Sequence, residues 1–303
     1  MKFDIIGKRL IYFLISGIII LIGVISLLTF GLPAGIEFSS GSLLRVSFEA
    51  PVSYTDFKQE ISDLGYGNAI VQQSGAGDFL IRTGELTDAQ KLELENALTT
   101  RFGALQEAQF NSVSPQVATE TARNAAIAVA VSAIGILLYV TWAFRRMPKP
   151  FHYGTCAIIA LVHDALIAMG IFSILGAIWG WEINLMFITG LLAVIGYSVN
   201  NTVVIFDRIR ENLLRGLAPN FEATVNNSLV ETMSRSVNTS LTTLIVVVAL
   251  LLFVGVSIQN FAVVLIIGIV AGTFSSVFIA PSLLVGWDSG RWFGMGATSR
   301  ASA

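Results

Sequence analysis

The sequence has little charge and a single cysteine. Only 13% of its 303 residues are Asp, Glu, Lys or Arg, whereas 54% are hydrophobic, which is unlike a soluble globular domain. The formal net charge of −2 leaves no basic surplus for a nucleic-acid partner. The lone Cys156 excludes an internal disulfide and a cysteine metal site. The composition therefore predicts a chain surrounded mostly by lipid, with no cofactor and no metal.

Six apolar segments are long enough to cross a bilayer. A helix rises about 1.5 Å per residue, so about 20 apolar residues span a hydrocarbon core of about 30 Å. The first segment is longer than the apolar part of a signal peptide, so we expect it to remain as a transmembrane helix. The pattern predicts a polytopic α-helical membrane protein. Its six segments cover residues 11–30, 121–144, 153–175, 183–206, 236–256 and 261–285.

Residues 35–115 are polar and separate the first apolar segment from the second. Strand-like runs occur at 42–49, 69–73, 79–83 and 105–113, with a helical pattern after the first run and another after the third. A hairpin-type connection at 74–78 joins the middle two runs, and Thr87 with Gln90 fits a capping box that opens the second helix. The order β-α-β-β-α-β predicts a ferredoxin-like α+β domain.

The basic residues of the short loops predict the orientation in the membrane. Short loops rich in Lys and Arg stay in the cytoplasm, so we expect cytoplasmic termini and an extracytoplasmic α+β domain. The loop residues are Arg145, Arg146 and Lys149 after the second segment and Arg208, Arg210 and Arg215 after the fourth. The predicted division is residues 1–34 with the first helix, 35–115 as the outer domain, 116–285 with the other five helices, and 286–303 as a cytoplasmic tail.

A carboxylate lies at the centre of the third apolar segment. Asp164 is eleven residues from either end of 153–175 and follows His163. An ionisable group at this depth is costly without a partner. Asp164 therefore marks either an ion or proton site or a hydrogen bond that locks two helices together. For His163 by itself we expect a packing role.

A second group of polar residues lies towards the cytoplasmic ends of the fourth and fifth segments. Asn201 is six residues inside its segment, about 9 Å by helical rise, and Arg235 on the next helix can reach that depth. The alternative is that Arg235 only binds lipid headgroups. The group consists of Asn200, Asn201 and Asp207 in the fourth segment, and of Arg235 with the expected helix-interface residues Asn238, Thr239 and Ser240 in the fifth.

Four stretches of the sequence form a recognisable set. They are GYSVNNTVVIFDRIREN at 196–212, VHD at 162–164, ETMSRSVNTSLTTL at 231–244 and GIEFSSG at 35–41. Together they resemble the SecF family of bacterial membrane proteins, within the resistance-nodulation-division superfamily. The resemblance implies one half of a twelve-helix SecD–SecF unit in the cytoplasmic membrane. It also implies that such a unit works beside the SecYEG channel and uses the proton gradient to export unfolded polypeptides, without enzyme chemistry of its own.

One position departs from the family pattern. The family typically has aspartate where this chain has Asn201, and that aspartate belongs to a proton path with an arginine that matches Arg235. An amide does not bind and release a proton in the accessible pH range, although it can hydrogen-bond Asn200, Ser198 or the 238–240 face.

Several explanations of Asn201 stay open. The coupling acid lies on SecD, or at Asp164 or Asp207 of this chain, or coupling through this chain is weak or absent, or Asn201 has been substituted for a natural aspartate. Asp207 is the less favoured replacement because it lies at the water boundary beside Arg208, where we expect it to stay ionised.

Other functions share this architecture. A passive assembly subunit would hold SecD against the channel, and half of a small-molecule exporter of the same superfamily would have the same helix count. The outer domain of about 80 residues is small for an exporter. Intramembrane proteolysis needs a paired-aspartate, Ser/His or HExxH arrangement, and only Asp164 with His163 comes close.

Overall fold

The computed structural model describes residues 4–73, 77–216, 218–253 and 258–290. Within these ranges the α-helices are α1 (Arg9–Phe30), α2 (Ile36–Ser39), α3 (Tyr54–Ile61), α4 (Asp88–Phe102), α5 (Pro115–Ala143), α6 (Pro150–Trp179), α7 (Leu185–Arg215), α8 (Phe221–Phe253), α9 (Gln259–Phe274) and α10 (Ala280–Ser289). The strands are β1 (Gly41–Phe48), β2 (Ile70–Gln73), β3 (Phe79–Thr83) and β4 (Leu105–Val113). A 3₁₀ turn at Ile6–Lys8 precedes α1, and π-helical segments follow α3 at Ser62–Tyr66 and α9 at Ser275–Ile279.

Six helical segments of the described chain are long and apolar enough to cross a membrane. They are α1 with its preceding turn, α5, α6, α7, α8, and the continuous run from α9 through the π-helical segment to α10. Each contains most or all of one predicted apolar segment, so the prediction of six helices long and apolar enough to span a membrane is confirmed. Residues 254–256, at the end of the fifth predicted segment, lie outside the described residues.

The chain divides into two compact units. One unit is Pro33–Ile127, and the other contains Met1–Leu32 and Ala128–Ala303. The helix α5 begins in the first of these units and ends in the second. Its 29 residues continue from a polar segment into an apolar one without a break.

The polar unit contains a four-stranded sheet in the order β2-β3-β1-β4, with every neighbouring pair antiparallel. Its core lies where the rings of Phe57 and Phe79 stack with centroids 4.0 Å apart. The helix α4 begins at the predicted capping box, because Thr87 accepts from the Gln90 backbone N–H and the Gln90 side chain accepts from Thr87. Residues 74–76 of the predicted hairpin lie outside the described residues.

The helices α1 and α6 run side by side with their backbones in close contact. A Cβ atom added to Gly170 would lie 2.6 Å from the Cα of Gly23, so only glycine fits there. Slightly less than one turn further along both helices, Ser26 donates to Ser173 at 2.9 Å. Small residues let helices approach closely in lipid, where dispersion and hydrogen bonds replace the hydrophobic effect as the attractive force. This contact fixes the axial position of α1 relative to α6.

The helices α7 and α8 extend well beyond the length that a bilayer needs. They contain 31 and 33 residues, compared with about 20 for a span. Their extensions pack against each other through Asn212, which donates to Ser228 at 3.0 Å and to Glu231 at 2.9 Å, while Arg208 pairs with Glu231. The two helices therefore form one long antiparallel hairpin, which sets Arg235 at the same level as Asn201.

Candidate functional site

Asp164 lies near the middle of α6 and is 1% exposed. Its Oδ1 is 2.9 Å from His163 Nδ1. Its Oδ2 accepts two hydrogen bonds, from Ser198 on α7 at 2.6 Å and from Ser275 in the π-helical segment at 2.9 Å. Both carboxylate oxygens are therefore bonded to polar groups in the interior of the bundle, and the predicted need for a partner is met from three elements.

The hydrogen bonds continue on both sides of Asp164. The Nε2 of His163 is 2.9 Å from Ser16 on α1. On the other side Ser276 donates to the Ser198 carbonyl at 3.1 Å and lies 2.9 Å from the hydroxyl of Thr202. We name as the Asp164 cluster the residues Ser16, His163, Asp164, Ser198, Thr202, Ser275 and Ser276.

His163 is buried between helices, and it has polar partners as well. Both of its ring nitrogens contact polar side chains, one from Asp164 and one from Ser16, and the residue is 6% exposed. A neutral imidazole suits these two contacts if Nδ1 donates to the carboxylate and Nε2 accepts from the hydroxyl. His163 and Asp164 therefore form one hydrogen-bonded unit that reaches Ser16 on α1.

A π-helical segment brings two successive serines into the Asp164 cluster. In a regular α-helix neighbouring side chains point about 100° apart, so only one of them would face the same site. Pro281 contributes to the irregular turn because it has no N–H to donate to the carbonyl of Val277. The wider turn lets Ser275 reach Asp164 while Ser276 reaches Thr202.

Ser16, His163 and Asp164 are linked in the order that serine hydrolases use. Ser16 is 5% exposed, however, and it lies inside α1, where the backbone N–H groups are bonded within the helix. An oxyanion hole needs free donors beside the nucleophile, and these residues supply none. The linked side chains of Ser16, His163 and Asp164 therefore serve hydrogen bonding between helices. Across the described ranges no three His, Cys, Asp or Glu side chains come together as a metal site.

A cavity of about 110 Å³ lies between α7 and α8. The amide nitrogen of Asn201 and the hydroxyl of Ser236 are enclosed by protein, and neither has a hydrogen-bond partner in the described chain. Arg235, predicted to reach the depth of Asn201, lines the same cavity but is itself exposed. We name this space the Arg235 cavity; its lining is Tyr197, Asn200, Asn201, Val204, Arg235, Ser236 and Thr239.

Two expectations for this region are corrected. The amide nitrogen of Asn201 does not donate to Asn200, to Ser198 or to the 238–240 face, since it has no hydrogen-bond partner in the described chain. Asn238 lies on the exposed face of α8, so it is not an interface residue within this chain. Thr239 is also exposed and donates to the Arg235 carbonyl of its own helix.

Ser240 lies between three helices of the described chain. Ser240 is buried, accepts from the Tyr197 hydroxyl at 2.9 Å and lies 2.6 Å from the hydroxyl of Thr273. It therefore connects α7, α8 and α9. The other predicted residues lie on the surface of the described chain: Asn200 is exposed, and the half-exposed carboxylate of Asp207 pairs with Arg210 at 2.7 Å.

Comparison with known proteins places the chain in a family. Residues 93–290 match the family model described as protein export membrane protein SecD/SecF, C-terminal. The chain is 44% identical over 298 residues to the protein translocase subunit SecF of Thermobaculum terrenum, with 94% of each chain covered. It belongs to the SecF family. The corresponding subunit of Anaerolinea thermophila is 40% identical over 293 residues, with 95% of each chain covered.

A solved structure gives the same result. The crystal structure of SecDF, a translocon-associated membrane protein from Thermus thermophilus, matches with a TM-score of 0.83 and 31% sequence identity. The match covers 95% of this chain and 39% of that chain. The predictions that the chain belongs to the SecF family and is a transmembrane protein of protein transport are confirmed. The relatives are named as subunits of the protein translocase, which is a transport component.

Proposed function

We propose that this chain is an auxiliary subunit of the Sec translocase in the cytoplasmic membrane, and that it acts with SecD beside the SecYEG channel to export unfolded polypeptides by means of the proton motive force. The observation that carries the proposal is the 44% identity to a SecF subunit along 94% of the chain. The match to 39% of a SecDF chain supports a SecD-type partner, because that chain joins a SecF-like part to a further part.

The outer domain is proposed as ferredoxin-like and in contact with the emerging polypeptide. The antiparallel strand order β2-β3-β1-β4, with α3 and α4 as the two crossovers, supports this assignment. The division into residues 1–34, 35–115, 116–285 and 286–303 follows from the same reasoning. The long hairpin of α7 and α8 then extends into the cytoplasm.

Within this function, Asp164 is the proposed coupling acid of the chain, with His163 as the residue that shares its proton. The support is a buried carboxylate at mid-membrane depth whose hydrogen bonds reach α1, α7 and the π-helical segment. A change in its protonation would alter the bonds between these elements, which is what a transport cycle requires.

A passive assembly subunit is the second candidate function. It is favoured by the complete hydrogen bonding of Asp164, since an ionised carboxylate with three polar contacts can remain in place as a lock between helices. The two candidates differ in whether the chain contributes only when a gradient is present.

We expect depletion of this chain in its native host to slow export and to accumulate precursor proteins, with recovery when the full chain is restored. In membrane vesicles the contribution of the chain should disappear when an uncoupler collapses the gradient. Precursor processing measures both effects, and vesicles that lack the chain, with and without the uncoupler, serve as the control. A contribution that persists undiminished with the uncoupler would favour the assembly subunit.

The proposed orientation predicts the location of reporters. An enzyme reporter fused after Gly77 should be active outside the cytoplasm, and reporters in the 145–150 loop or after Arg291 should be active in the cytoplasm. The physical basis is the Lys and Arg content of the short loops. A cytoplasmic signal at Gly77 would invert the assignment.

A further inference from the structure

A groove of about 270 Å³ lies beside β2 in the outer domain, on the side of the strand away from β3. Residues of α3 and of the π-helical segment after it line one side, and β2 with the residue before it lines the other. Two tyrosines border the groove, of which Tyr54 is 38% exposed and Tyr66 is half-buried. We name this space the Tyr54 groove; its lining includes Tyr54, Lys58, Tyr66, Gly67, Ala69 and Val71.

The strand β2 is at one edge of the sheet and pairs only with β3 in the described chain. Along such a strand, alternate residues direct their N–H and C=O groups away from the neighbouring strand. A side chain rather than a strand meets this edge, because the Tyr54 hydroxyl donates to the Val71 carbonyl at 3.0 Å. Ile70, the first residue of β2, is 50% exposed. The edge is therefore open to pairing with a further strand.

The groove and the strand edge together favour an extended polypeptide as the occupant. Pockets for small molecules have volumes of about 300–1,000 Å³, so the Tyr54 groove is smaller and suits one or two side chains. Tyrosine rings supply a large contact area at low cost in conformational entropy. Lys58 is the single charged residue among the described lining residues, so the groove accepts an apolar side chain. The backbone groups of β2 are complementary to those of any extended chain, whatever its sequence.

We propose that the Tyr54 groove binds an unfolded segment of exported polypeptide, which pairs with β2 as an added strand and places an apolar side chain between Tyr54 and Tyr66. A polypeptide N–H then donates to the Val71 carbonyl in place of the Tyr54 hydroxyl, so the carbonyl keeps a partner in both states. Binding at this groove rests on the proposed function, because that function brings unfolded polypeptide to the outer domain. Recognition then depends on backbone pairing and one apolar side chain, which many exported sequences offer.

The test is residue-resolved amide hydrogen exchange on the full-length chain in complex with SecD, with and without a reduced and carboxymethylated protein that stays unfolded. Exchange is measured at each residue, so binding of this probe to SecD does not mask binding at β2. We expect the fast-exchanging amides of β2 to slow by about tenfold or more at saturating probe, since an added strand gives them partners. The amides of β4, at the opposite edge of the sheet, should change by less than about twofold.

Three substitutions test the groove through the probe concentration that gives half-maximal protection of β2. Tyr54→Ala removes a ring and should raise this concentration by about fivefold or more, as for a tyrosine at the centre of an interface. Gly67→Leu should have a similar effect because it adds a side chain at the groove, where a backbone φ of −59° suits any residue. Leu92→Ala is the matched control, since it truncates a 58% exposed side chain on α4 outside the groove, and it should alter the value by less than about twofold.

Three results would overturn the proposal. The first is unchanged exchange in β2 at every probe concentration, or protection that appears at β4 alone. The second is protection of every β2 amide in the complex before the probe is added, which would mean that a strand of the partner covers this edge. The third is half-maximal protection that neither Tyr54→Ala nor Gly67→Leu shifts more than Leu92→Ala does.

Two safeguards keep these outcomes distinct. If Tyr54→Ala does not fold, Gly67→Leu decides the question, because it removes no side chain from the domain. The proposed function is tested separately by the loss of gradient-dependent export on depletion of the chain. Normal dependence of export on the chain, with no protection of β2, would refute the groove and leave that function in place.

Discussion

Asp164→Asn is expected to reduce gradient-dependent export to the level of cells that lack the chain, while the SecD–SecF complex still assembles. The substitution removes the titratable group at the centre of the Asp164 cluster and keeps its shape. An amide cannot take part in a proton cycle. The loss should therefore fall on coupling and leave folding intact.

The geometry explains why the variant should fold. The amide oxygen that replaces Oδ2 of Asp164 can accept from Ser198 and Ser275, as the carboxylate oxygen does. The new NH₂ group can donate to Nδ1 of His163 if the imidazole takes its other tautomer, and Nε2 then donates to Ser16. Every hydrogen bond of the cluster is kept, so no buried polar group loses its partner.

Export in energised vesicles measures the effect, and co-purification with SecD measures assembly. Asp207→Asn is the matched control, because it makes the same chemical change in a half-exposed carboxylate at the membrane boundary, and it should retain nearly normal export. Loss of assembly in Asp164→Asn would show that the residue is a structural lock. Full export by that variant would place the coupling acid on SecD.

Asn201→Asp is expected to raise proton-dependent export or the proton leak of vesicles that carry the chain with SecD. The carboxylate fits because the amide nitrogen of Asn201 has no hydrogen-bond partner in the described chain, so no hydrogen bond is lost there. Placed beside Arg235, it forms an ion pair in one protonation state and releases the arginine in the other, which creates a two-state element.

Adding Arg235→Ala to Asn201→Asp should abolish the gain, because the carboxylate then has no cation to release. Proton flux in vesicles is the measurement, and Asn238→Asp on the exposed face of α8 is the control for an added carboxylate. Unchanged flux in Asn201→Asp would falsify the idea that this position limits coupling. It would leave Asp164 or SecD as the source of the acid.

The sequence by itself determined the architecture. The length of an apolar run against the thickness of a bilayer gave the six spans, and residue spacing along one helix placed Asp164 at mid-depth. The same rise per residue placed Asn201 about 9 Å inside its segment and within reach of the Arg235 side chain. Such quantities depend only on distance along the chain, so no tertiary contact is needed to read them.

Only the tertiary structure decided which side chains meet. His163 contacts Ser16, which is 147 residues away in the sequence, because the contact between Gly23 and Gly170 fixes the position of α1 along α6. Ser275 reaches Asp164 because a π-helical turn rotates it inward. Asn238 lies on the exposed face of α8, although it is only two residues from the buried Ser240, because packing against neighbouring helices sets the rotation of α8. In these helices apolar residues occur on all sides, since lipid tolerates them as well as the protein interior does. The sequence pattern therefore carries little information about helix rotation, and close packing sets it instead.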